Sequence, residues 1–363
     1  MAEPTLETGL NDAPETGEVT ARGAEEVTKR EVKTEAPTQT APEGQVEEIS
    51  ELPPSETAEK VETKTLPTHD LMTEKMAEID ANSPPIIMND LFDIHPSRPL
   101  PNLDSPSARA FEAENRKNPQ REIFALVCIP GLAVRAEVID QLIENEIPGC
   151  LDLLDYAATF WPPLGQKTII LIFEKPLGGR VIDVIAQEAA DYKKIDHIKL
   201  SLKAMMEGLE ELHSRSINHR AIRHDNLFFL DKQCQDVVLG ECVSSPPGFD
   251  QPAAYETIER GMADEGGRGI GLAEDDLYAC GVTLAYLIQK SVPAQSLSRE
   301  PLVFKKIIDS SYQALVGSNL LTVVLLDVIR GLLNDDPSQR WGIEELQNWM
   351  DGRRGTPPQS SPS

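Results

Sequence analysis

The first 83 residues contain no phenylalanine, tryptophan or tyrosine; the first of these residues in the chain is Phe92. This stretch has 20 acidic and 7 basic residues, so half of the net charge of -26 lies in under a quarter of the chain. A segment with few apolar and many charged residues cannot offset the entropy that folding costs. We therefore predict that Met1–Ser83 is a disordered acidic tail, either a solvated arm without a role or a flexible partner-binding arm. Residues 351–363, rich in proline and serine, are predicted to be a second disordered tail.

Cysteine is scarce and scattered. The five cysteines form no C-x-x-C pair and have no spacing suited to zinc (Cys128, Cys150, Cys234, Cys242 and Cys280). This pattern fits reduced thiols in a cytoplasmic protein better than a disulfide framework, so we predict reduced thiols. The N-terminus lacks the basic start and apolar core of a signal peptide. No uninterrupted apolar run approaches the roughly 18 residues that span a bilayer. A cytoplasmic location without membrane insertion is expected.

An excess of positive charge is also missing, since 34 basic residues stand against 60 acidic ones. Nucleic acids and anionic membranes are themselves negatively charged and repel such a chain. We therefore expect protein partners and no nucleic acid.

Among the residues that are present, the segment Asn218–Asn226 (NHRAIRHDN) is the most informative. It follows a run of apolar residues at helical spacing (Ile198, Leu202, Met205, Leu209 and Leu212) and precedes a short apolar run. This arrangement resembles the catalytic loop of protein kinases, H-R-D-L-x-x-x-N. His219, Arg220 and Asn226 match the signature. Ala221 occupies the position of the Asp, which in the family accepts the proton of the substrate hydroxyl.

The strand predicted at Arg121–Pro130 lies where the family carries V-A-I-K, whose Lys pairs with the nucleotide phosphates. If Ala125 is the matching alanine, the Lys position is Val127, and a shift of one residue gives Cys128. Neither side chain binds a phosphate. Residues 98–130 contain no glycine, so the family's glycine-rich phosphate-covering loop is missing as well.

The segment Val237–Cys242 resembles the strand that leads into the family's D-F-G motif, and the alignment places Gly240 at the metal-binding Asp. The base, the metal ligand and the phosphate-binding Lys are then all missing. General-base catalysis supplies on the order of 10²–10⁴ in rate, and metal charge neutralisation adds to it. The resemblance therefore implies a pseudokinase, with neither a metal nor another cofactor expected. Binding of ATP with magnesium stays open as an alternative.

Several residues of the loop keep other roles in this interpretation. Arg223 lies where the family's Ser/Thr-type loop has a phosphate-contacting Lys, so it is the best remaining anion-binding candidate. Asn226 is expected to hydrogen-bond the loop backbone, with metal ligation as the alternative. Asp225 and Glu241 are a further candidate pair for a displaced metal site. The other remnants are expected to pack and form hydrogen bonds within the loop (His219 and Arg220).

The residues that determine a kinase fold are better preserved. A-Y-E resembles the family's A-P-E, with Glu256 as its acid. Asp276, in an apolar helix predicted over Asp275–Gln289, matches the residue that anchors the catalytic-loop backbone. The sequence D-P-x-x-R supplies Arg340, which the resemblance pairs with Glu256 as a buried Arg–carboxylate contact. The hinge, whose backbone hydrogen-bonds adenine in the family, corresponds to three consecutive residues (Glu174, Lys175 and Pro176).

Together these resemblances predict an α+β, two-lobed protein-kinase-like fold over residues 111–350. The small β-rich N-lobe is predicted at 111–175 and the larger helical C-lobe at 176–350. Residues 84–110 are predicted to be an extended linker on the domain surface, with a short helix over Ser105–Asn115.

The implied function is that of a catalytically inactive scaffold or allosteric regulator that binds proteins, an active kinase being one candidate partner. The alternative is a divergent protein Ser/Thr kinase, or an ATP-binding domain with residual phosphoryl transfer.

Overall fold

A mostly β part and a mostly helical part follow each other along the chain. The computed structural model describes residues 83–291, 294, 296–317 and 325–353, and all of them belong to one structural unit. The predictions of disordered tails fall mainly on residues 1–82 and 354–363, which lie outside the described residues.

Nine strands of the described residues form two antiparallel sheets. The larger sheet has the order β1-β2-β3-β4-β6-β5, and the smaller one has the order β7-β8-β9. The strands are β1 Ile86–Met88, β2 Phe92–Pro99, β3 Ala108–Asn115, β4 Ile123–Cys128, β5 Leu153–Trp161, β6 Gln166–Glu174, β7 Gly179–Arg180, β8 Leu227–Phe229 and β9 Val237–Leu239.

β4 (IFALVC) lies inside the larger sheet, between β3 and β6, and is buried along its whole length. Successive side chains of a strand point to opposite faces of the sheet. Leu126 and Cys128 pack on one face together with Ile139 of the first helix. Ala125 and Val127 pack on the other face. The sheet therefore separates two apolar layers. Neighbouring residues of β4 lie in different layers.

The prediction that residues 84–110 form a surface linker is wrong, because they contribute β1, β2 and the start of β3. Phe92 and Ile94 alternate inward into the core, which is the pattern of a half-buried strand. The prolines that favoured a linker are accommodated: β1 pairs with β2 only as far as Ile94, and the β2–β3 register shifts between Ile94 and Pro99. Pro96 thus lies beyond the end of β1, where a missing N–H breaks no ladder. The short helix predicted over Ser105–Asn115 is also wrong, since β3 occupies most of that range.

Helices make up most of the second part. Within the described ranges they are α1 Ala136–Glu144, α2 Val181–Gln187, α3 Asp191–Ser214, α4 Ile258–Gly261, α5 Ala273–Gln289, α6 Arg299–Asp309, α7 Ser311–Leu315, α8 Leu326–Leu332 and α9 Ile343–Met350. α1 alone belongs to the first lobe, where it packs against β5.

α5 is the central helix of the second lobe and is buried on nearly every side, as its apolar sequence predicts. It packs against α3 and α8. At Gly281 an added Cβ would lie 2.8 Å from the Cβ of Leu332, so the two backbones approach each other closely. The structure thus has the predicted small β-rich lobe followed by a larger helical lobe.

All five cysteines are free thiols, as predicted. No helix within the described ranges has both the length and the apolar character needed to cross a membrane.

Candidate functional site

Asp276 of α5 holds the backbone of the polar turn after α3, the catalytic-loop segment Asn218–Asn226. The buried carboxylate of Asp276 accepts hydrogen bonds from the backbone N–H groups of His219, at 2.7 Å, and Arg220, at 2.8 Å. It also lies 3.0 Å from Nε2 of His213. Burial raises the pKa of Asp276, but the contact with His213 and the nearby His219 outweigh it and hold the pKa below its usual value. The predicted anchoring role of Asp276 is therefore confirmed.

Asn226 closes the turn through its side chain. Its Nδ2 donates to the backbone carbonyl oxygens of Ala221 and Glu241, both at 2.9 Å. The backbone carbonyl oxygen of Asn226 accepts from the N–H of Gly240 at 2.9 Å. Both hydrogens of the amide are thus bonded to backbone, which confirms the expected structural role. A Cβ built on Gly240 would lie 2.0 Å from Oδ1 of Asn226. The amide occupies the space that a carboxylate at position 240 would need.

His219 is buried between the turn and β9. Its Nδ1 accepts from the N–H of Ala221 at 3.2 Å, so the ring proton is on Nε2, which donates to the carbonyl oxygen of Gly240 at 3.2 Å. Burial lowers the pKa of His219 to about 4. The imidazole is therefore neutral at pH 7 with both nitrogens engaged, and it packs within the loop as expected.

Arg223, the predicted anion-binding candidate, is buried and its Nε donates to the carboxylate of Asp225 at 2.9 Å. Glu241 is engaged as well, since its carboxylate accepts from the N–H groups of Val243 and Ser244 at 2.8 and 2.9 Å. Among the described residues, no group of three or more His, Cys, Asp or Glu side chains is arranged to hold a metal. The cation of Arg223 and the carboxylates of Asp225 and Glu241 therefore all have partners within the protein.

The assignment of Val127 to the phosphate-binding Lys position is corrected by strand alternation. Val127 faces the outer apolar layer with Ala125, whereas Leu126 and Cys128 face the layer shared with the second lobe. Cys128, the alternative obtained by a shift of one residue, is thus the residue that faces the second lobe, where the phosphate-binding Lys position is expected. Burial raises the pKa of the Cys128 thiol well above its usual value, so it presents a neutral side chain.

Residues 100–107, here called the strap, connect β2 to β3 where the family's glycine-rich loop would lie. The strap lies against the segment that follows β9. Ser105 Oγ is 3.2 Å from Ser244 Oγ, and Ser107 Oγ donates to Asp250 at 2.7 Å. From the second lobe, Arg180 Nη2 donates to the carbonyl oxygen of Asp104, within the strap, at 2.8 Å. Three polar contacts thus join the strap to the second lobe.

Beneath the strap the cleft is filled by apolar side chains from both lobes. Ala110 and Leu126 of the larger sheet and Phe228 and Val238 of the smaller sheet belong to one buried cluster. The guanidinium of Arg180 lies 5.9 Å from the centre of the Phe228 ring. A cavity of about 20 Å³ adjoins the cluster near α1 and β9, which is space for about one water molecule.

The hinge residues use their backbone donors within the protein. The N–H of Glu174 donates to Asp152 O at 2.9 Å, and the N–H of Lys175 donates to Glu122 O at 3.0 Å. Pro176 has no N–H. The next two N–H groups donate to the carbonyl oxygens of β8 and its following residue (Leu177 to Leu230, and Gly178 to Phe229). From the sequence, these backbone donors were expected to be available to adenine. In the structure they donate to carbonyl oxygens of the protein itself.

Glu256 lies at the centre of a buried charge cluster. It accepts hydrogen bonds from Arg220 Nη2 at 3.0 and 2.8 Å, and Arg268 Nη1 lies 3.8 Å away. Arg220 reaches it from a left-handed backbone conformation, with φ of 59°, which the hydrogen bond from its N–H to Asp276 holds in place. Burial raises the pKa of Glu256, and the charge of Arg220 opposes that rise.

The predicted pairing of Glu256 with Arg340 is wrong. Nε of Arg340 donates to the carbonyl oxygen of Asn334 at 2.9 Å, and Nη1 donates to that of Glu274 at 3.2 Å. The guanidinium also lies 5.3 Å from the centre of the Tyr278 ring. The physical reason is that Arg220, one of the loop remnants, already supplies the cation that Glu256 needs.

Lys306 of α6 is a buried residue of this cluster that the sequence analysis missed. Its Nζ donates to the carbonyl oxygens of Ala253, Ala254 and Glu256, at 3.1, 3.1 and 2.7 Å. The only sequence signal was its position on the apolar face of the helix, four residues after Leu302. The ammonium group fixes the short turn that carries Glu256.

The buried position of Lys306 predicts a pH dependence. Burial lowers its pKa to about 7 from the usual 10.5, with Glu256 and Asp335 opposing the change and Arg268 adding to it. Between these values the unfolded chain binds more protons than the folded one, so stability rises with pH by at most about 1.4 kcal/mol per unit from this group. Below pH 7 the group adds no slope. We expect the Lys306→Met variant to lack this rise when urea unfolding is measured from pH 6 to 9.

Lys305→Met is the matched control for that measurement, because Lys305 is only partly buried on the same helix and pairs with Asp309 at its surface. It should keep the wild-type slope. Equal slopes in the wild type and the Lys306→Met variant would contradict the prediction.

Arg135, just before α1, was also missed. Its guanidinium donates to the carbonyl oxygens of Asn218, His219 and Cys242 at 2.8 to 3.0 Å, and its N–H donates to Val243 O at 3.0 Å. It joins the first lobe to the catalytic-loop segment. A single arginine between Val134 and Ala136 matches no motif, so the sequence gives no signal for such a role.

Comparisons with known proteins agree with this architecture. No protein-family model matches the chain. A calcium and calcium/calmodulin-dependent serine/threonine-protein kinase of Lotus japonicus is 24% identical over 264 residues, covering 67% of this chain and 49% of that protein. The crystal structure of Rad53 1-466 in complex with AMP-PNP is similar with a TM-score of 0.52 and 16% identity, covering 67% of this chain and 62% of that one. The chain thus spans about half the length of the curated relative. These likenesses confirm the two-lobed, protein-kinase-like fold.

Proposed function

We propose that this chain, which has a protein-kinase-like fold, is a pseudokinase: it transfers no phosphoryl group and serves as a protein-binding scaffold or allosteric regulator. The observation that carries the proposal is the contact between Gly240 and Asn226. A Cβ at Gly240 would lie 2.0 Å from Asn226 Oδ1, so a carboxylate at the position that resembles the metal-binding Asp would require the Asn226 amide, which is hydrogen-bonded to the loop, to move.

The other catalytic positions support the same proposal. Ala221 offers a methyl group where phosphoryl transfer needs an acceptor for the hydroxyl proton, and the buried Cys128 stands where a cation would hold the phosphates. Positioning and charge stabilisation account for almost all of the catalysis in phosphoryl transfer. A chain without the base, the metal ligand and the cation therefore has no remaining means of lowering the barrier.

The cleft also argues against a bound nucleotide. An adenine would meet the apolar cluster that contains Leu126 and Phe228, and the N–H groups of Glu174 and Lys175 are already bonded. Phosphates would lie under the strap, which has no glycine. Binding would have to separate the lobes first and would lose those contacts.

The experiment is a thermal-unfolding titration of the full-length protein with ATP and magnesium, paired with an assay of radiolabelled phosphoryl transfer. We expect no rise in the midpoint across the concentration series and no labelled product. A ligand at 100 times its dissociation constant adds about 2.7 kcal/mol of stability, so binding is readily seen. A rise that follows this dependence without labelling would make the chain a nucleotide-binding domain. Labelled product would make it a divergent Ser/Thr kinase.

A non-catalytic kinase-like domain acts through the proteins that it binds. An active kinase is one candidate partner. The excess of negative charge, -26 over the whole chain, favours partners with basic surfaces.

A further inference from the structure

The outer face of α6 is apolar although it is exposed. The helix buries Leu302 on its inner side, and it leaves Phe304, Ile307 and Ile308 exposed by 64%, 56% and 64%. Residues three and four positions apart lie on the same side of a helix. The three exposed side chains therefore form one stripe.

Met262 adds an exposed apolar side chain beside α6, at the end of the neighbouring helix. It follows Gly261, the last residue of α4, where an added Cβ would lie 2.9 Å from Val303 on α6. Met262 is 69% exposed. We call these four residues the α6 patch (Met262, Phe304, Ile307 and Ile308). Single exposed apolar residues are ordinary, whereas contiguous ones mark interaction sites.

The surroundings of the α6 patch are acidic. Exposed carboxylates lie on α4, on α6 and on the residues next to them (Glu259, Asp264, Glu265, Glu300 and Asp309). Three of these carboxylates have a cationic neighbour: Arg299 pairs with Asp264 at 2.5 Å, Lys305 pairs with Asp309 at 2.6 Å, and Arg268 lies 3.6 Å from Glu265. Glu259 and Glu300 have no ion-pair partner among the described residues, so the rim keeps a net negative charge, which favours a positive partner.

Charge and area argue against a second copy of this chain as the occupant. Two chains of net charge -26 repel each other. Four side chains also provide much less than the roughly 800 Å² per partner that a stable interface of standard size buries. The chain's own N-terminal tail is a poor occupant for the same electrostatic reason, since residues 1–83 hold 20 acidic and 7 basic residues.

We propose that the α6 patch docks a basic amphipathic helix of a protein partner. Its apolar stripe is the kind of ridge that packs into the grooves of a second helix, and Lys and Arg beside the partner's apolar face would meet the acidic rim. The proposal names a surface for the scaffold function and rests on that proposed function. The two proposals can be overturned separately. Phosphoryl transfer by the chain would contradict the scaffold proposal, and failure of the helical peptide to bind the α6 patch would contradict this one.

The probe is a synthetic helical peptide with a leucine face, lysine flanks and a photoreactive diazirine side chain; a second peptide carries glutamate in place of lysine. Binding to the full-length protein is measured by fluorescence anisotropy. We expect the lysine peptide to bind at least tenfold more tightly than the glutamate peptide. The double variant Phe304→Ser/Ile308→Ser, which changes no charge, should weaken the lysine peptide at least tenfold. Tyr192→Ser, at an apolar side chain that is 66% exposed elsewhere, should leave it unchanged.

Cross-linking to the wild-type protein locates the peptide independently of any variant. Cross-links in Arg299–Asp309 or at Met262 support the proposal. Cross-links confined to the acidic tail, equal binding of both peptides, or a wild-type dimer that the double variant converts to a monomer would each overturn it.

Discussion

Replacing Glu256 with glutamine should lower the free energy of unfolding by about 3–5 kcal/mol, the usual cost of removing one partner from a buried ion pair. Glu256 is the carboxylate that the guanidinium of Arg220 contacts at 2.8 Å, and Arg268 lies 3.8 Å from it. Without the carboxylate, the buried guanidinium of Arg220 loses its ion-pair partner, and the nearby Arg268 and Lys306 lose a favourable negative charge. Urea denaturation at pH 7, followed by circular dichroism, measures the loss.

The matched control is Glu259→Gln on α4, because Glu259 is exposed three residues further along the chain. Its effect should stay within about 0.5 kcal/mol, as for most surface substitutions. Equal losses in the two variants would contradict the central role of Glu256.

A double-mutant cycle separates the observed pairing from the one that the sequence suggested. Arg220→Met combined with Glu256→Gln should show a coupling energy of about 0.5–3 kcal/mol, as expected for residues in direct contact. Arg340→Met combined with Glu256→Gln should be nearly additive, since Arg340 donates to the carbonyl oxygens of Asn334 and Glu274 instead. The reverse result would restore the Arg340 pairing.

The features that were predictable from sequence depend on short segments with a recognisable pattern. Asn226 was expected to hydrogen-bond the loop, and Asp276 was expected to anchor it; both do so. The helix around Asp276 was found because nearly all of its residues are apolar. Local pattern and chain order thus sufficed for the two lobes and for the catalytic-loop turn of the second lobe.

The errors come from interactions that a linear pattern does not contain. Val127 and Cys128 differ by one position, and a strand sends such neighbours to opposite faces, so only the observed register settles which one faces the cleft. The predicted Arg340–Glu256 pair was wrong because the sequence offers several arginines for one carboxylate. Which of them pairs with Glu256 depends on distances in the folded structure. The linker prediction for residues 84–110 was wrong because it gave more weight to the prolines than to the strand-like alternation of the buried residues Phe92 and Ile94.

The roles of the cations Lys306 and Arg135 could not be predicted from the sequence. Each donates to three backbone carbonyl oxygens that are distant in sequence. Backbone acceptors carry no sequence identity, so no pairing of residue types points to them. Lys306 holds the turn that carries Glu256, and Arg135 holds the first lobe to the catalytic-loop segment.

The substitution Gly240→Ala should be costly for the addition of a single methyl group. The new Cβ would lie 2.0 Å from Asn226 Oδ1 and 2.8 Å from a ring carbon of Phe228, so the amide must move. Its hydrogen bonds to Ala221 and Glu241 then weaken. Overpacking of this kind costs about 1–3 kcal/mol, and urea denaturation should show a loss at the upper end of that range. Gly266→Ala, where an added Cβ meets nothing within 4 Å, should have almost no effect.

The same contact decides whether the catalytic residues can be restored. In an Asn226→Ala background the cost of Gly240→Ala should fall, because the clashing amide is gone; an unchanged cost would mean that the contact does not limit the site. The variant Ala221→Asp/Gly240→Asp should be less stable than the wild type and should transfer no phosphoryl group, since its second carboxylate needs the space that Asn226 fills. Labelled product from this variant would show that the cleft adapts, and that the two missing carboxylates alone keep the chain inactive.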